Sequence, residues 1–314
     1  MTAIRFLSAL ALLIATLCPA FAADTIFPPS IRVGLTPLVG LVPAKTFVGF
    51  ETEDHSVKVV VAELPAAAYT EVSNTFKAES TNNAPGPKPE SIETAAGTAY
   101  YTVEDATDGK VKVRRYSMIL SGTTFAGYVA AQVPEDASKI YTDDAVRKMF
   151  ASATIRKEVP VEEQLAQMPF KITDLANFKN VRTLALGSAI VLADGDETTG
   201  FEAAPFVVIG LMSQSPATPG DRDRFAQEAI RAFPGVHESR LTMSEPLRIN
   251  STPGYETRMD ATSGKDNTKV TVVQWLRFGS GSSVLRIVGS SPRDQWEKAF
   301  PRFRAVRDGI QSRG

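Results

Sequence analysis

Cysteine and histidine are nearly absent from this chain of 314 residues, which contains one cysteine and two histidines. A single cysteine, Cys18, can form no disulfide within the chain. Zinc sites need several cysteine, histidine or carboxylate ligands close together. His55 and His237 stand alone in unrelated contexts, "TEDHSV" and "PGVHES". We therefore expect no metal site and no cofactor. The formal net charge of −1 gives no general attraction to nucleic acid.

Motifs of several enzyme classes are also missing. The sequence has no Walker loop, no glycine-rich dinucleotide turn and no Gly-x-Ser-x-Gly motif. The serine-rich stretch Ser280–Ser283 aligns with "LSGTTF" at 120–125, and both are typical of turns between strands. Paired carboxylates at Glu53–Asp54 and Asp194–Glu197 lie in polar, turn-like stretches. We expect a protein that is not an enzyme, and a hydrolase with a serine- or carboxylate-based site is the alternative.

Long apolar runs are missing beyond the first residues of the chain. There Arg5 precedes an apolar run over Phe6–Cys18, followed by the small-residue pattern Ala20-Phe21-Ala22. This order predicts a signal peptide over residues 1–22. The run is shorter than the roughly 20 residues of a spanning helix, so we expect no transmembrane anchor after cleavage. The predicted location is the periplasm or the outside of the cell.

An internal repeat is present, and it organises the rest of the sequence. "EDATDGKVKVRRY" at 104–116 is answered by "MDATSGKDNTKVTVVQW" at 259–275. Gly49-Phe50-Glu51 is answered by Gly200-Phe201-Glu202. Repeats with a period of this kind indicate a duplicated structural unit. The sequence therefore predicts a first copy over 24–156, a linker over 157–170 and a second copy over 171–314.

Each copy has the same predicted order of elements. Alternating or apolar segments indicate strands at Arg32–Leu38 and Ser56–Leu64 in the first copy, and at Thr183–Leu192 and Pro205–Met212 in the second. A helix, a loop, several strands with hairpin turns and a closing helix follow. Antiparallel strands with helices at two fixed points predict an α+β fold, an antiparallel sheet covered by helices in two tandem copies.

The two copies differ in charge. Residues 24–156 carry 13 basic and 16 acidic side chains, whereas residues 171–314 carry 19 basic and 16 acidic side chains. Arginines concentrate in the closing helix of the second copy, where Pro301 predicts a bend or break. We predict that arginines of this region face outward and bind a partner: Arg293, Arg302, Arg304 and Arg307. The alternatives are that these arginines hold the two copies together or that they are ordinary solvated surface.

The order of strands, helix, loop, strand meander and closing helix resembles the PsbP and Mog-type (PsbP-like) fold. The resemblance applies twice, once to each copy, and it implies an accessory or binding role without catalysis. The stretch "VGLTPLVGLVPAKTFVGFE" at 33–51 also resembles a family of exported proteins of alphaproteobacteria. Neither resemblance transfers a catalytic residue.

Together these patterns predict an exported, non-catalytic envelope protein that binds an unknown protein or small ligand. The groove between the copies and the basic end of the second copy are the candidate surfaces. A purely structural envelope component is a further alternative to the hydrolase.

Overall fold

A computed structural model describes residues 24–79, 89–196, 203–264, 266–279 and 283–313. The chain divides into two compact units. The first unit comprises most of the residues up to Ile155, and the second comprises Arg156 onward with two short earlier segments, Pro29–Arg32 and Thr123–Phe125. Among the described residues, no helix has the length and apolar character needed to cross a membrane.

The first copy is built from nine short to medium strands and two helices within the described residues. The strands are β1 (Val33–Gly34), β2 (Leu41–Pro43), β3 (Gly49–Thr52), β4 (Lys58–Pro65), β5 (Glu90–Thr94), β6 (Gly97–Asp108), β7 (Val111–Ser121), β8 (Phe125–Pro134) and β9 (Thr154–Ile155). The helices are α1 (Ala66–Glu79) and α2 (Asp143–Ala151). Seven of these strands form one sheet in the order β2-β3-β4-β8-β7-β6-β5, and β1 pairs with β9.

The second copy repeats this plan. A short helix, α3 (Val161–Ala166), precedes it. The strands are β10 (Phe170–Ile172), β11 (Asn180–Ala185), β12 (Ala189–Ala193), β13 (Phe206–Met212), β14 (Val236–Ile249), β15 (Thr252–Ser263), β16 (Thr268–Phe278), β17 (Val284–Pro292) and β18 (Ile310–Ser312). The helices are α4 (Arg222–Arg231) and α5 (Trp296–Asp308). The sheet order is β11-β12-β13-β17-β16-β15-β14, and β10 pairs with β18.

The strand orders of the two sheets correspond one to one, so the predicted α+β fold in tandem copies is confirmed. The Asp-Ala-Thr echo lies on corresponding strands, with Asp105 on β6 and Asp260 on β15. In the first copy the hairpin turns at Gly109, which adopts a φ of +61° that favours glycine. Thr142 caps α2, because its side chain accepts a hydrogen bond from the Ala145 amide.

One detail of the predicted strands is wrong. Thr183–Leu192 is not one strand but parts of β11 and β12, because Gly187 turns the chain with a φ of +68°. Gly49-Phe50-Glu51 lies in β3, whose counterpart in the sheet order is β12. Its predicted equivalent, Gly200-Phe201-Glu202, lies outside the described residues.

Helix α5 packs on one face of the second sheet and runs through Pro301 without a break. Its Phe303 and Val306 are fully buried with Trp275 and Ile287 of the sheet. Proline has no amide hydrogen to donate to the carbonyl four residues earlier in the helix. Because Pro301 is exposed, that carbonyl lies on the solvent side of the helix. This position explains why the predicted break does not occur.

The predicted linker contains the short helix α3. Helix α3 packs beside the edge strand β11, where the side chain of Gln164 is buried. Its Nε2 donates to the carbonyl of Val181 over 2.8 Å, and its Oε1 accepts from the amide of Thr183 over 2.8 Å. An edge strand leaves backbone groups unpaired. Gln164 satisfies two of them, so α3 belongs structurally to the second copy.

Candidate functional site

A cavity of about 630 Å³ lies on the face of the second sheet opposite to α5. We call it the apolar cavity. Its lining comes mainly from β12, β13 and β17 and from the segment after α4, with the ends of β11 and β15 beside them, and it includes Val191, Phe206, Val208, Val288 and Phe233. The rings of Phe206 and Phe233 stack with their centroids 6.4 Å apart. The cavity is therefore bounded mainly by hydrocarbon and aromatic surface.

The alternation of side chains along β13 explains why this surface is apolar. Val207 and Ile209 are fully buried in the core formed with α5. Val208 lies between them and points to the opposite face, where it is only partly buried. On that face α4 packs on β14 and β15. The outward side chains of β13 thus remain partly exposed, although β13 is apolar on both faces.

Arg286 of β17 supplies the charged group of the apolar cavity. Its Nε donates to Oε1 of Gln274 over 2.8 Å, and its Nη2 donates to the carbonyl of Ala229 over 2.7 Å. Burial lowers the pKa of Arg286, because the surroundings disfavour its charge. Among the described residues, none that lines the cavity is an aspartate or glutamate. The guanidinium therefore has neutral hydrogen-bond partners and no neutralising carboxylate there.

Arg302, one of the four predicted partner-binding arginines, is engaged inside the second copy. Its Nη1 and Nη2 contact the two carboxylate oxygens of Asp194 at 2.5 and 2.9 Å. Its Nε donates to the carbonyl of Ala176 over 2.8 Å, and its guanidinium carbon lies 4.1 Å from the ring centroid of Phe178. Three contacts of this kind fix the side chain in one geometry. The outward direction predicted for Arg302 is wrong.

The other three arginines lie in different surroundings. Arg307 is 11% exposed and bonds through Nε and Nη2 to the carboxylate of Asp308, so its predicted outward direction is also wrong. Arg293 is half-exposed and lies 3.2 Å from a carboxylate oxygen of Asp260. Arg304 is exposed and has no ion pair among the described residues. The sequence did not reveal Asp194 and Asp260 as partners, because both are distant from these arginines along the chain. Partner binding at the four positions stays a prediction.

The two histidines lie in different units and have different partners. Nδ1 of His55 lies 2.8 Å from Oε2 of Glu51, and Nε2 of His237 lies 2.8 Å from Oδ1 of Asn267. No group of three or more histidine, cysteine or acidic side chains suited to a metal ion occurs within the described ranges.

Of the residues suggested for a hydrolase, Asp54 and Asp194 have partners within the described part of the chain. Hydrogen bonds from Thr52 and Ser56 lower the pKa of the exposed Asp54 to about 2, so this carboxyl is ionised and caps a turn. Asp194 is neutralised by Arg302. Ser280, Gly281 and Ser282 of the predicted serine loop lie outside the described residues.

The apolar cavity was not predicted from the sequence, although one signal was present. "FVVIGLM" at 206–212 is apolar at every position, which is typical of a strand covered on both faces. The short helix α4 does not provide the second cover for this strand. A continuous apolar strand beside a short helix is therefore the pattern that could have indicated the cavity.

The chain is similar to several solved structures. CyanoP, a cyanobacterial PsbP from Synechocystis sp. PCC 6803, is 16% identical over 43% of this chain and 80% of its own, with a TM-score of 0.29. The Ran-binding protein Mog1p of Saccharomyces cerevisiae is 12% identical over 43% and 79%, with a TM-score of 0.27. The type VI secretion immunity protein TplEi of Pseudomonas aeruginosa is 10% identical over 92% and 97%, with a TM-score of 0.29.

Proteins of the PsbP and Mog type are thus among the solved structures that this chain resembles, as the order of its elements predicted. No family model matches the sequence. No curated protein matches it either.

Proposed function

We propose that this chain is an exported, non-catalytic binding protein whose second copy holds a small apolar ligand in the apolar cavity. The observation that carries the proposal is a cavity of about 630 Å³ with mainly hydrocarbon and aromatic walls. Small-molecule sites typically enclose roughly 300–1,000 Å³, with apolar walls and few polar groups. The cavity has both the size and the composition of such a site.

Arg286 indicates which apolar ligand fits. A buried cation without a counter-ion is unfavourable, and a ligand carboxylate would form a charge-assisted hydrogen bond with it. Its Nη1 makes no hydrogen bond to any described residue, so this atom can serve a ligand. We infer that the ligand joins a hydrocarbon body to one acidic group.

A binding role rather than catalysis is supported by the chemistry of the walls. Ser263 and Ser290 are the hydroxyl-bearing residues among those described in the lining. Activation of a serine requires a base within hydrogen-bond reach. No histidine or carboxylate lines the cavity within the described part of the chain to fill that role.

Calorimetric titration with dodecanoate tests the proposal. The wild-type protein should bind dodecanoate, and methyl dodecanoate should bind more weakly because the ester lacks the charge that pairs with Arg286. Val208→Trp should fill the cavity and weaken dodecanoate binding at least tenfold. Val60→Trp is the matched control, because Val60 lies in the first copy between the buried Val59 and Val61, as Val208 does between its neighbours. Equal binding by both variants, or none by the wild type, would refute the proposal.

Export is the second part of the proposal and is supported by the order of Arg5, Phe6–Cys18 and Ala20-Phe21-Ala22. These residues lie outside the described part of the chain. N-terminal sequencing of the protein from the periplasm should give Ala23 as the first residue. An intact Met1 in the membrane fraction would contradict export with cleavage.

A further inference from the structure

A second cavity, of about 950 Å³, lies at one end of the second sheet. We call it the basic pocket. The β14–β15 hairpin turn, the facing ends of β16 and β17, strand β18 and the start of α4 surround it. It shares Leu211 with the apolar cavity and otherwise has a different set of lining residues. Arg222 and Arg277 both line it.

Neither arginine has a carboxylate partner among the described residues, and no aspartate or glutamate lines the pocket there. Arg277 donates through Nη1 to the carbonyl of Ile310 over 3.0 Å. Burial lowers the pKa of Arg277, which shows that its charge is poorly hydrated. Elsewhere in the second copy Arg302 and Arg307 do have carboxylate partners. The basic pocket therefore concentrates positive charge that the described residues leave uncompensated.

Arg222 provides an independent observation. Its Nε is buried and makes no hydrogen bond to any residue in the described part of the chain. The contact of its guanidinium is with the ring of Phe278, whose centroid lies 4.7 Å from the guanidinium carbon. A buried polar atom without a partner is unfavourable by about 1–3 kcal/mol, and most such atoms in proteins are satisfied. A donor of this kind is explained if its acceptor is a bound molecule.

Hydroxyl groups on the rim add neutral donors. Ser251 lies in the hairpin turn, Thr252 begins β15, and Ser283 directly precedes β17. Asn250, by contrast, uses its amide to hold the carbonyls of Asp308 and Ile310, so it fixes the turn beside the C-terminal strand. Guanidinium groups together with hydroxyls are the donors that proteins use for phosphate and carboxylate oxygens.

We propose that the basic pocket binds a small soluble oxyanion through Arg222 and Arg277. The site is separate from the apolar cavity, and it does not depend on the proposed apolar ligand. Inorganic phosphate is the probe, because three of its oxygens can accept hydrogen bonds at once.

The test is calorimetric titration of the full chain with phosphate, with ionic strength held constant by chloride. The wild type should bind phosphate, and its melting temperature should rise with phosphate concentration. Arg222→Met should weaken phosphate binding at least tenfold and abolish that rise. Without phosphate, Arg222→Met should melt at or above the wild-type temperature, because the substitution removes the unpartnered Nε. A purely structural arginine would lower the melting temperature instead.

Arg304→Met is the matched control, since Arg304 is an exposed arginine of the same copy outside the pocket lining. It loses the same charge and should bind phosphate as the wild type does. Arg277→Met provides a second variant in case Arg222→Met does not fold. The proposal would be overturned if the wild type did not bind phosphate. It would also be overturned if the pocket variants bound phosphate as tightly as the control does.

Discussion

The two copies place a large aromatic side chain at the centre of the sheet, and they satisfy its polar tip differently. In the first copy Tyr116 is 1% exposed and donates from its hydroxyl to Oδ1 of Asp143 over 2.7 Å. In the second copy Trp275 is fully buried and donates from Nε1 to Oε2 of Glu256 over 2.8 Å. Both carboxylates also contact arginines. A buried donor thus requires an acceptor in both copies.

The source of that acceptor is what differs. Asp143 opens helix α2, whereas Glu256 lies on β15, directly across from Trp275 in the sheet. The first arrangement joins the closing helix to the sheet, and the second lies within the sheet. Both copies therefore provide a carboxylate acceptor for the buried aromatic donor, but they provide it from different positions in the fold.

The helix on the opposite face of each sheet also differs. In the first copy α1 has 14 residues and packs on β4, β6 and β7. In the second copy α4 has 10 residues and packs on β14 and β15. Helix α1 therefore reaches β4, although Val60 of that strand is 40% exposed, whereas the counterpart strand β13 borders the apolar cavity. The cavity thus accompanies a different placement of the helix on the same sheet plan.

The largest expected effect tests whether the two copies unfold independently. Phe150 of α2 in the first copy and Phe303 of α5 in the second are fully buried side chains of the closing helices. Replacing either by alanine should lower the free energy of unfolding by about 3–5 kcal/mol. Differential scanning calorimetry of the full chain should show that each variant shifts a different transition. One common transition lowered by both variants would contradict two independent domains.

The next effect concerns where the second copy begins. A fragment over 157–314 retains α3, whereas a fragment over 169–314 loses the buried Gln164 and Met168. We expect the shorter fragment to be less stable by about 2 kcal/mol or more, because it loses hydrogen bonds to β11 and core packing. Urea unfolding followed by circular dichroism measures the difference. Equal midpoints would show that α3 is a linker without a stabilising role.

A smaller effect on stability is expected when the ion pairs of the two closing helices are broken. Arg302 and Asp194 are 28% and 20% exposed, whereas Arg147 and Glu90 of the first copy are 41% and 60% exposed. Arg302→Ser should lower the free energy of unfolding by about 2 kcal/mol, and Arg147→Ser by less than about 1 kcal/mol.

Arg304→Ser, at an exposed position without an ion pair in the described chain, serves as control and should change stability by less than about 0.5 kcal/mol. Thermal unfolding of the three variants ranks them. A neutral Arg302→Ser would show that the Asp194 pair does not stabilise the fold.

The smallest effect is a pH dependence specific to the first copy. Hydrogen bonds from Arg114, and then from Tyr116, lower the pKa of Asp143 below its unfolded value of about 3.9. The ionised Asp143 therefore contributes fully to the free energy of unfolding when the pH is above the unfolded-state pKa. This contribution is lost as the pH falls through the lower folded-state pKa. Asp143→Asn should lower stability at pH 7 by about 1 kcal/mol and should flatten the loss of stability in acid.

Urea unfolding of the wild type and of Asp143→Asn between about pH 2 and about pH 7 measures the free energy of unfolding of both proteins. The loss of stability in acid should be steeper for the wild type. Parallel curves for the two proteins would show that Asp143 does not titrate with folding.

The sequence by itself determined the duplication, the order of elements and the hairpin turns. These follow from local patterns: side-chain alternation in strands, capping at Thr142 and a positive φ at Gly109 depend on neighbouring residues. Tyr116 and Trp275 could be aligned with each other from the sequence, because each ends an alternating strand segment. Export and the partner-binding arginines stay predictions.

The tertiary structure alone decided which side chains meet. The concentration of arginines in the closing helix predicts an outward Arg302, but its partner Asp194 lies 108 residues earlier in the sequence. The apolar cavity depends on where α4 sits on the sheet, and the basic pocket depends on the approach of α4 and β18 to the same sheet end. Such placements result from packing between elements distant in the chain, which no local period in the sequence encodes.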